Sequence, residues 1–155
     1  MSFAPSSPVT GGPQTGLTSP TYTIVSDTPP NSHSVQYAVT ALGGTQTGVE
    51  AHSVSLPFTL TMERPAQFRQ LGVANPVTGV ISNVPMNVFK IRARKGVNID
   101  ASQSPKVASV EIKLSIPAGA DTEDPESIRA MLSLAAGALW AESADVGDAL
   151  IDGLI

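Results

Sequence analysis

The sequence predicts an α+β domain in which an N-terminal β-hairpin and an antiparallel sheet of about five strands precede two C-terminal helices. Three observations carry this expectation. Short runs rich in Val, Ile, Thr and Tyr, separated by turn residues, begin at Tyr22. Three later runs alternate apolar and polar residues with a period of two. After Ile116 the apolar period changes to that of a helix.

Residues 1–19 are rich in Ser, Thr, Gly and Pro and carry few large apolar groups, so they recover little of the entropy lost on ordering. They are expected to form a flexible arm, with 20–155 as a single domain. Tyr22 to Ser26 and Val35 to Thr40 form the first strand pair, joined by a loop in which Asp27, Thr28, Pro29, Pro30 and Asn31 favour a turn. Gly43-Gly44 is expected to break the chain before a third run, Val49 to Val54.

In Phe58 to Glu63, the residues Phe58, Leu60 and Met62 oppose Thr59, Thr61 and Glu63. In Val88 to Lys95, Phe89, Ile91 and Ala93 alternate with Lys90, Arg92 and Arg94. In Ala108 to Ile116, Val110, Ile112, Leu114 and Ile116 alternate with Ser109, Glu111, Lys113 and Ser115. The three strands thus share an apolar and a polar face. Residues 65–86 form a long connection with a turn at Asn75-Pro76-Val77-Thr78-Gly79, and Gly96 to Pro105 form a second loop.

Asp124-Pro125-Glu126 supplies an N-cap, a first-turn proline and an acid at the positive end of the macrodipole, which starts a helix. Ile128, Met131, Leu132, Ala135 and Leu139 form one apolar stripe along it, to about Ala141. Ser143 is expected to cap a second helix ending near Ile151. Trp140 and Met131 read as packing groups, either within the subunit or at a dimer contact.

Composition narrows the function. Charged residues are 14% of the 155, against roughly 25% in typical soluble proteins, so much of the surface is neutral. Depletion of charge suits burial against copies of the same chain; a weakly charged monomer is the alternative. The absence of cysteine excludes disulfides and thiolate chemistry and is compatible with a reducing cytoplasm. No signal sequence or membrane span is expected. Residues 1–116 carry eight Lys or Arg against five acids, whereas residues 117–155 carry one Arg against eight acids. That asymmetry suits a nucleic-acid face opposed to an acidic one.

Lys90, Arg92 and Arg94 are the most informative polar feature. Alternate residues on a strand lie about 7 Å apart, close to the spacing of phosphates along a nucleic-acid strand. Arg also stacks on unpaired bases, and neighbouring hydroxyls bond phosphate, sugar or base edges. An ordinary solvated strand face is the competing reading. Catalytic constellations are weak: His33 and His52 are the sole histidines, and no HExxH, GxSxG, phosphate-loop or dinucleotide fingerprint occurs. Asp121, Glu123, Asp124 and Glu126 lack calcium-loop spacing and read as helix-start acids rather than a metal site. No enzyme activity, cofactor, metal or small-molecule substrate is expected.

The order of elements, with the stretches FTLTMERP, NPVTGVISNVPMNVFKIRARKG and VEIKLSIPAGADTEDPESIRAMLSLAAGALW, resembles the coat proteins of levivirus-type single-stranded RNA bacteriophages over about Tyr22 to Leu154. The resemblance implies the RNA phage coat protein fold, with helices that pack on the partner subunit. It implies a homodimer that assembles into an icosahedral virus shell, packages genomic single-stranded RNA, and represses translation through an RNA hairpin. It places the protein in the virion, assembled in the bacterial host cytoplasm. Carried over by position, Thr59, Thr61, Lys90 and Arg92 contact RNA, and Arg94 and Lys113 share their side by alternation. The dimer interface takes Ile128, Met131, Leu132, Ala135, Leu139 and Trp140. Ser109 and Glu111 stand where some relatives have a stacking aromatic and an amide, so base stacking is not implied here. The rival classes are a stand-alone RNA-binding sheet module and a small hydrolase or carbohydrate-binding β-domain.

Overall fold

The computed structural model describes residues 3–154; the first two residues of the expected arm and the last of the expected domain lie outside the described residues. Six strands form one antiparallel meander in which every strand pairs with its sequence neighbours. They are β1 (Val9–Thr10), β2 (Thr18–Asp27), β3 (Ser34–Thr45), β4 (Phe58–Glu63), β5 (Met86–Val97) and β6 (Lys106–Pro117). Three helices follow: α1 (Ala120–Glu123), α2 (Pro125–Ala141) and α3 (Ser143–Asp152).

The alternating strands form where expected, and β4 has the predicted limits. Strands β5 and β6 are each longer than the alternation indicated. The sheet has six strands rather than about five because Val9–Thr10, inside the stretch expected as an arm, pairs with Tyr22 and Thr21. Other contacts fix the same segment. The Ser7 hydroxyl accepts from the Ile24 N–H at 3.0 Å, and the Tyr37 hydroxyl donates to the Phe3 carbonyl at 3.1 Å.

Gly43-Gly44 is not a break. β3 runs through both glycines to Thr45. Gly44 has a φ of 73°, and a Cβ there would strike the carbonyl oxygens of Thr18 and Ser19, so glycine is what lets β3 lie so close to β2. Val49 to Val54 is not a strand either. Gly48 turns the chain at φ 82°, the His52 N–H donates to the Val39 carbonyl, and Ser53 closes a turn on Leu56. These bonds occupy backbone groups that a ladder needs.

Asp124 caps α2 as the sequence indicated, its carboxylate accepting from the Ser127 N–H at 3.2 Å, with Pro125 in the first turn. The short α1 was not legible; Gly119, at φ 91°, precedes it. Ser143 is the first residue of α3 and not its cap. Glu142 holds the cap position without a side-chain bond, while Ser143 receives the Gln14 side chain. Gln14 Nε2 donates to the Ser143 carbonyl at 2.6 Å and to its hydroxyl at 2.7 Å, and Thr15 donates to Asp148 at 2.8 Å. Residues 14–15 are thereby joined to α3.

Core is scarce. Among the described residues the buried hydrophobic side chains are Ile24, Ala38, Val39 and Ala118. Neither α2 nor α3 buries a residue. The accessible surface is 10624 Å², whereas a compact monomer of this size exposes roughly 7,400 Å². Roughly 3,000 Å² of surface is thus left over that a monomer of ordinary compactness would cover. Among the described residues no helix is long and apolar enough to cross a membrane.

Candidate nucleic-acid interface

Strand register sorts the sheet into two faces, because directly paired residues point to the same side. On one, Leu60 and Met62 pair with Tyr37 and Val35 on β3 and with Ala93 and Ile91 on β5. Phe89, Ile91 and Ala93 continue to Leu114, Ile112 and Val110. This apolar face is only partly covered, and Val110 is 57% exposed.

The other face is polar and organised in rows. The central row crosses five strands: Asp27 pairs with Gln36, Gln36 with Thr61, Thr61 with Arg92, and Arg92 with Glu111. Side chains bond along it. Gln36 Nε2 donates to Asp27 Oδ2 at 2.7 Å, and Thr61 Oγ1 donates to Gln36 Oε1 at 3.1 Å. Arg92 donates through Nη2 at 2.8 Å and Nε at 3.1 Å to Glu111 Oε2. On one flank Glu63 pairs with Lys90 and Lys90 with Lys113; on the other Thr59 pairs with Arg94 and Arg94 with Ser109.

All six residues assigned to RNA from the sequence therefore share one face. Their accessibility differs. Lys90, Arg92 and Arg94 are half-buried and Lys113 is exposed. Thr59 and Thr61 are buried, at 4% and 7% exposure, between longer neighbours. Thr61 is bonded to Gln36, whereas the Thr59 hydroxyl has no hydrogen-bond partner.

Alternation places Glu63 and Glu111 on this face, and the ion pairs they make come only from the register. Glu111 lies 3.4 Å from Lys90 Nζ and 2.8 Å from Arg92 Nη2, so one carboxylate engages two of the three strand cations. The Arg92 hydrogen bond, and then that of Lys90, hold its carboxyl below the usual range. Gln36, and then the Thr28 N–H, do the same for Asp27. Gln36 was within reach of the sequence, since it alternates with Val35 and Tyr37. Its bonds to two neighbouring strands depend on a register that β3 alone does not reveal.

The histidines have structural roles. His52 Nδ1 accepts from the Phe58 N–H at 2.9 Å, and His33 Nε2 lies 3.6 Å from Glu63. Asp121 accepts from the Gly119 N–H at the start of α1. Among the described residues no cluster of three or more His or acidic side chains is placed to hold a metal. The stripe on α2 stands unpartnered: Met131, Leu132, Leu139 and Trp140 are 42–53% exposed, Ala135 is exposed, and Ile128 is half-buried.

An unroofed apolar sheet face, a polar face with four cations behind it and helices that bury nothing are the features of a subunit with surface left for other chains to cover. No protein-family model and no curated protein matches the sequence. Among solved structures, the chain is similar to the virus-like particle of bacteriophage ESE020, with 50% identity over 99% of this chain and 100% of that one and a TM-score of 0.96. The chain belongs to the levivirus-type phage coat proteins. The virus-like particle of Beihai levi-like virus 32 shares the fold at 20% identity and a TM-score of 0.51, covering 86% of this chain and 88% of that one. That of Wenzhou levi-like virus 4 does so at 20% identity and 0.52, covering 93% and 85%.

Proposed function

We propose that this chain is a non-enzymatic structural subunit that forms a homodimer, assembles into an icosahedral shell and holds genomic single-stranded RNA on the polar face of its sheet. The observation that carries the RNA reading is the register of Lys90, Arg92, Arg94 and Lys113: of the six Lys and Arg on β5 and β6, these four lie on the face opposite the apolar one, while Lys95 and Lys106 fall on the other. Cations at strand spacing match a phosphate backbone, and phosphate binding needs charge rather than a particular base platform. Packaging contacts of this general kind are favoured over tight recognition of one hairpin, because Thr59 and Thr61 are buried and Ser109 offers no aromatic surface. Translational repression through a hairpin is the more demanding form of the same reading.

The homodimer is supported by surplus surface. An excess of roughly 3,000 Å² per chain, about 6,000 Å² for a pair, reaches the upper end of obligate interfaces, and it includes the α2 stripe and the open sheet face. The similarity to a virus-like particle supports shell assembly and a place in the virion, with assembly in the host cytoplasm consistent with a chain that has no cysteine.

Expression of the full chain in bacteria, followed by size exclusion and electron microscopy, tests both parts. Closed particles that contain RNA are expected. A Lys90→Ala, Arg92→Ala, Arg94→Ala variant should retain markedly less RNA and lose much of the salt dependence of binding. Monomers without particles end the shell reading, and undiminished RNA in the triple variant ends the RNA reading. A stand-alone RNA-binding module predicts RNA binding with no particles at all.

A further inference from the structure

The polar face does not end at Lys90. Beyond it, where β4 leaves the sheet and the long β4–β5 connection begins, lies an open groove of about 710 Å³, within the range of about 300–1,000 Å³ typical of small-ligand sites. Arg64 and Arg69 line it together with Lys90, with Met86 and Val88 as apolar surface and His33 and Glu63 at one side.

Both arginines stand on fixed backbone. The Arg64 N–H donates to the His33 carbonyl at 3.0 Å. The Arg69 N–H donates to Asn87 Oδ1 at 2.8 Å, and Asn87 Nδ2 donates back to the Arg69 carbonyl at 2.9 Å. Asn87 is 1% exposed, so the side-chain half of this reciprocal clamp is buried. Phe68, next in sequence, meets the ring of Phe89 edge-on at 6.5 Å. The start of a connection of some twenty residues is thus held, and with it the positions from which the two guanidinium groups extend.

Charge in the groove is unbalanced. Its acid, Glu63, already accepts from Asn31 Nδ2 at 3.0 Å and sits 3.6 Å from His33. Among the described residues no carboxylate lies within ion-pair distance of Arg64 or Arg69. Two unpaired guanidinium groups beside a lysine and an apolar patch suit a ligand that joins phosphate to a flat, weakly polar ring. Arg is well shaped for bidentate phosphate contacts.

We propose that this groove is a second seat for single-stranded RNA, taking a nucleotide of the strand as it leaves the sheet face past Lys90. Its phosphate sits on Arg64 and Arg69, and its ribose and base lie against Met86 and Val88. The inference rests on the RNA reading of the sheet but turns on Arg64 and Arg69, which lie beyond β4 and take no part in that reading.

The test titrates a short fluorescent oligouridylate with full-length protein over a range of NaCl concentrations and compares two variants. Arg64→Gln with Arg69→Gln should weaken binding about fivefold or more and lower the slope of log affinity against log salt by about 1.4, which is two single-strand phosphate contacts. Arg92→Ala with Arg94→Ala reports on the sheet. If the sheet variant weakens binding and the groove variant does not, the groove is overturned while the sheet reading stands. If neither weakens it, both fall. Ultraviolet cross-linking of unsubstituted protein to its RNA gives a readout independent of variant folding: nucleotide adducts are expected on the peptide spanning Arg64–Arg69. Adducts confined to other peptides overturn the groove.

Discussion

Arg92 and Glu111 face each other across β5 and β6, two nitrogens of the guanidinium donating to one carboxylate oxygen at 2.8 and 3.1 Å. Lys90 reaches the other oxygen of the same carboxylate at 3.4 Å. A phosphate that binds this face must therefore compete with a resident anion. Glu111→Gln removes the competitor and keeps the shape. RNA affinity at low salt should rise several-fold, with a steeper salt slope, because two cations become available for phosphate. Weaker binding in this variant, measured by anisotropy, would show that Glu111 contributes to RNA contact instead.

The acids of this face also bear on the response to pH. Glu111 and Asp27 have carboxyls held below their ordinary values, as does Asp100 through the Ser102 N–H and hydroxyl. A lowered folded value means that stabilisation is complete above the unfolded value, near about 4, and disappears as pH falls through the folded one. Thermal stability should be flat from neutrality to about pH 5 and decline below about pH 4. Asp27→Asn with Glu111→Gln should flatten that decline. An unchanged acid limb in calorimetry would place the responsible groups elsewhere.

Asn87 holds the base of the β4–β5 connection. Asn87→Ala leaves an N–H and a carbonyl of Arg69 without their side-chain partner, at up to about 1–3 kcal/mol for each group that water does not reach. The thermal midpoint should fall, and amide exchange at Arg69 should accelerate more than exchange within β3. Uniform acceleration across the sheet would mean that Asn87 stabilises the fold generally and not the loop base.

On α2, Met131 and Leu139 project from a helix that buries nothing within its own chain. If a partner covers them, Leu139→Ala should cost about 2–5 kcal/mol, the range for large-to-small changes in a packed interior. Denaturant titration of assembled protein reads that cost. A change below about 0.5 kcal/mol is the value expected of an exposed surface site, and it would remove α2 from the dimer contact.

Sequence periodicity carried much of this architecture. The limits of β4, the start of α2 at Asp124-Pro125 and the turn at Asn75 to Gly79 rest on local chemistry. The structure repeats that chemistry: Asn75 Oδ1 accepts from the N–H groups of Val77 and Thr78, and the Gly79 N–H donates to the Asn75 carbonyl. The misses depend on contacts distant in sequence. Gly44 reads as a break until Thr18 and Ser19 are seen beside it, and Ser143 reads as a cap until Gln14, 129 residues away, is seen to bond it. Alternation placed the six RNA-facing candidates on one side. It did not reveal that Glu111 pairs with two of the cations or that Thr59 and Thr61 lie beneath their neighbours, since both follow from cross-strand register.

The scarcity of buried apolar side chains has a thermodynamic corollary. A chain whose hydrophobic interior, among the described residues, amounts to Ile24, Ala38, Val39 and Ala118 has little intrinsic cohesion, so under the proposed homodimer adopting its shape and finding its mate become one mass-action equilibrium. Dilution alone should then act as a denaturant: the melting temperature climbs with the logarithm of protein concentration, and newly made chains stay ordered only once enough of them have accumulated.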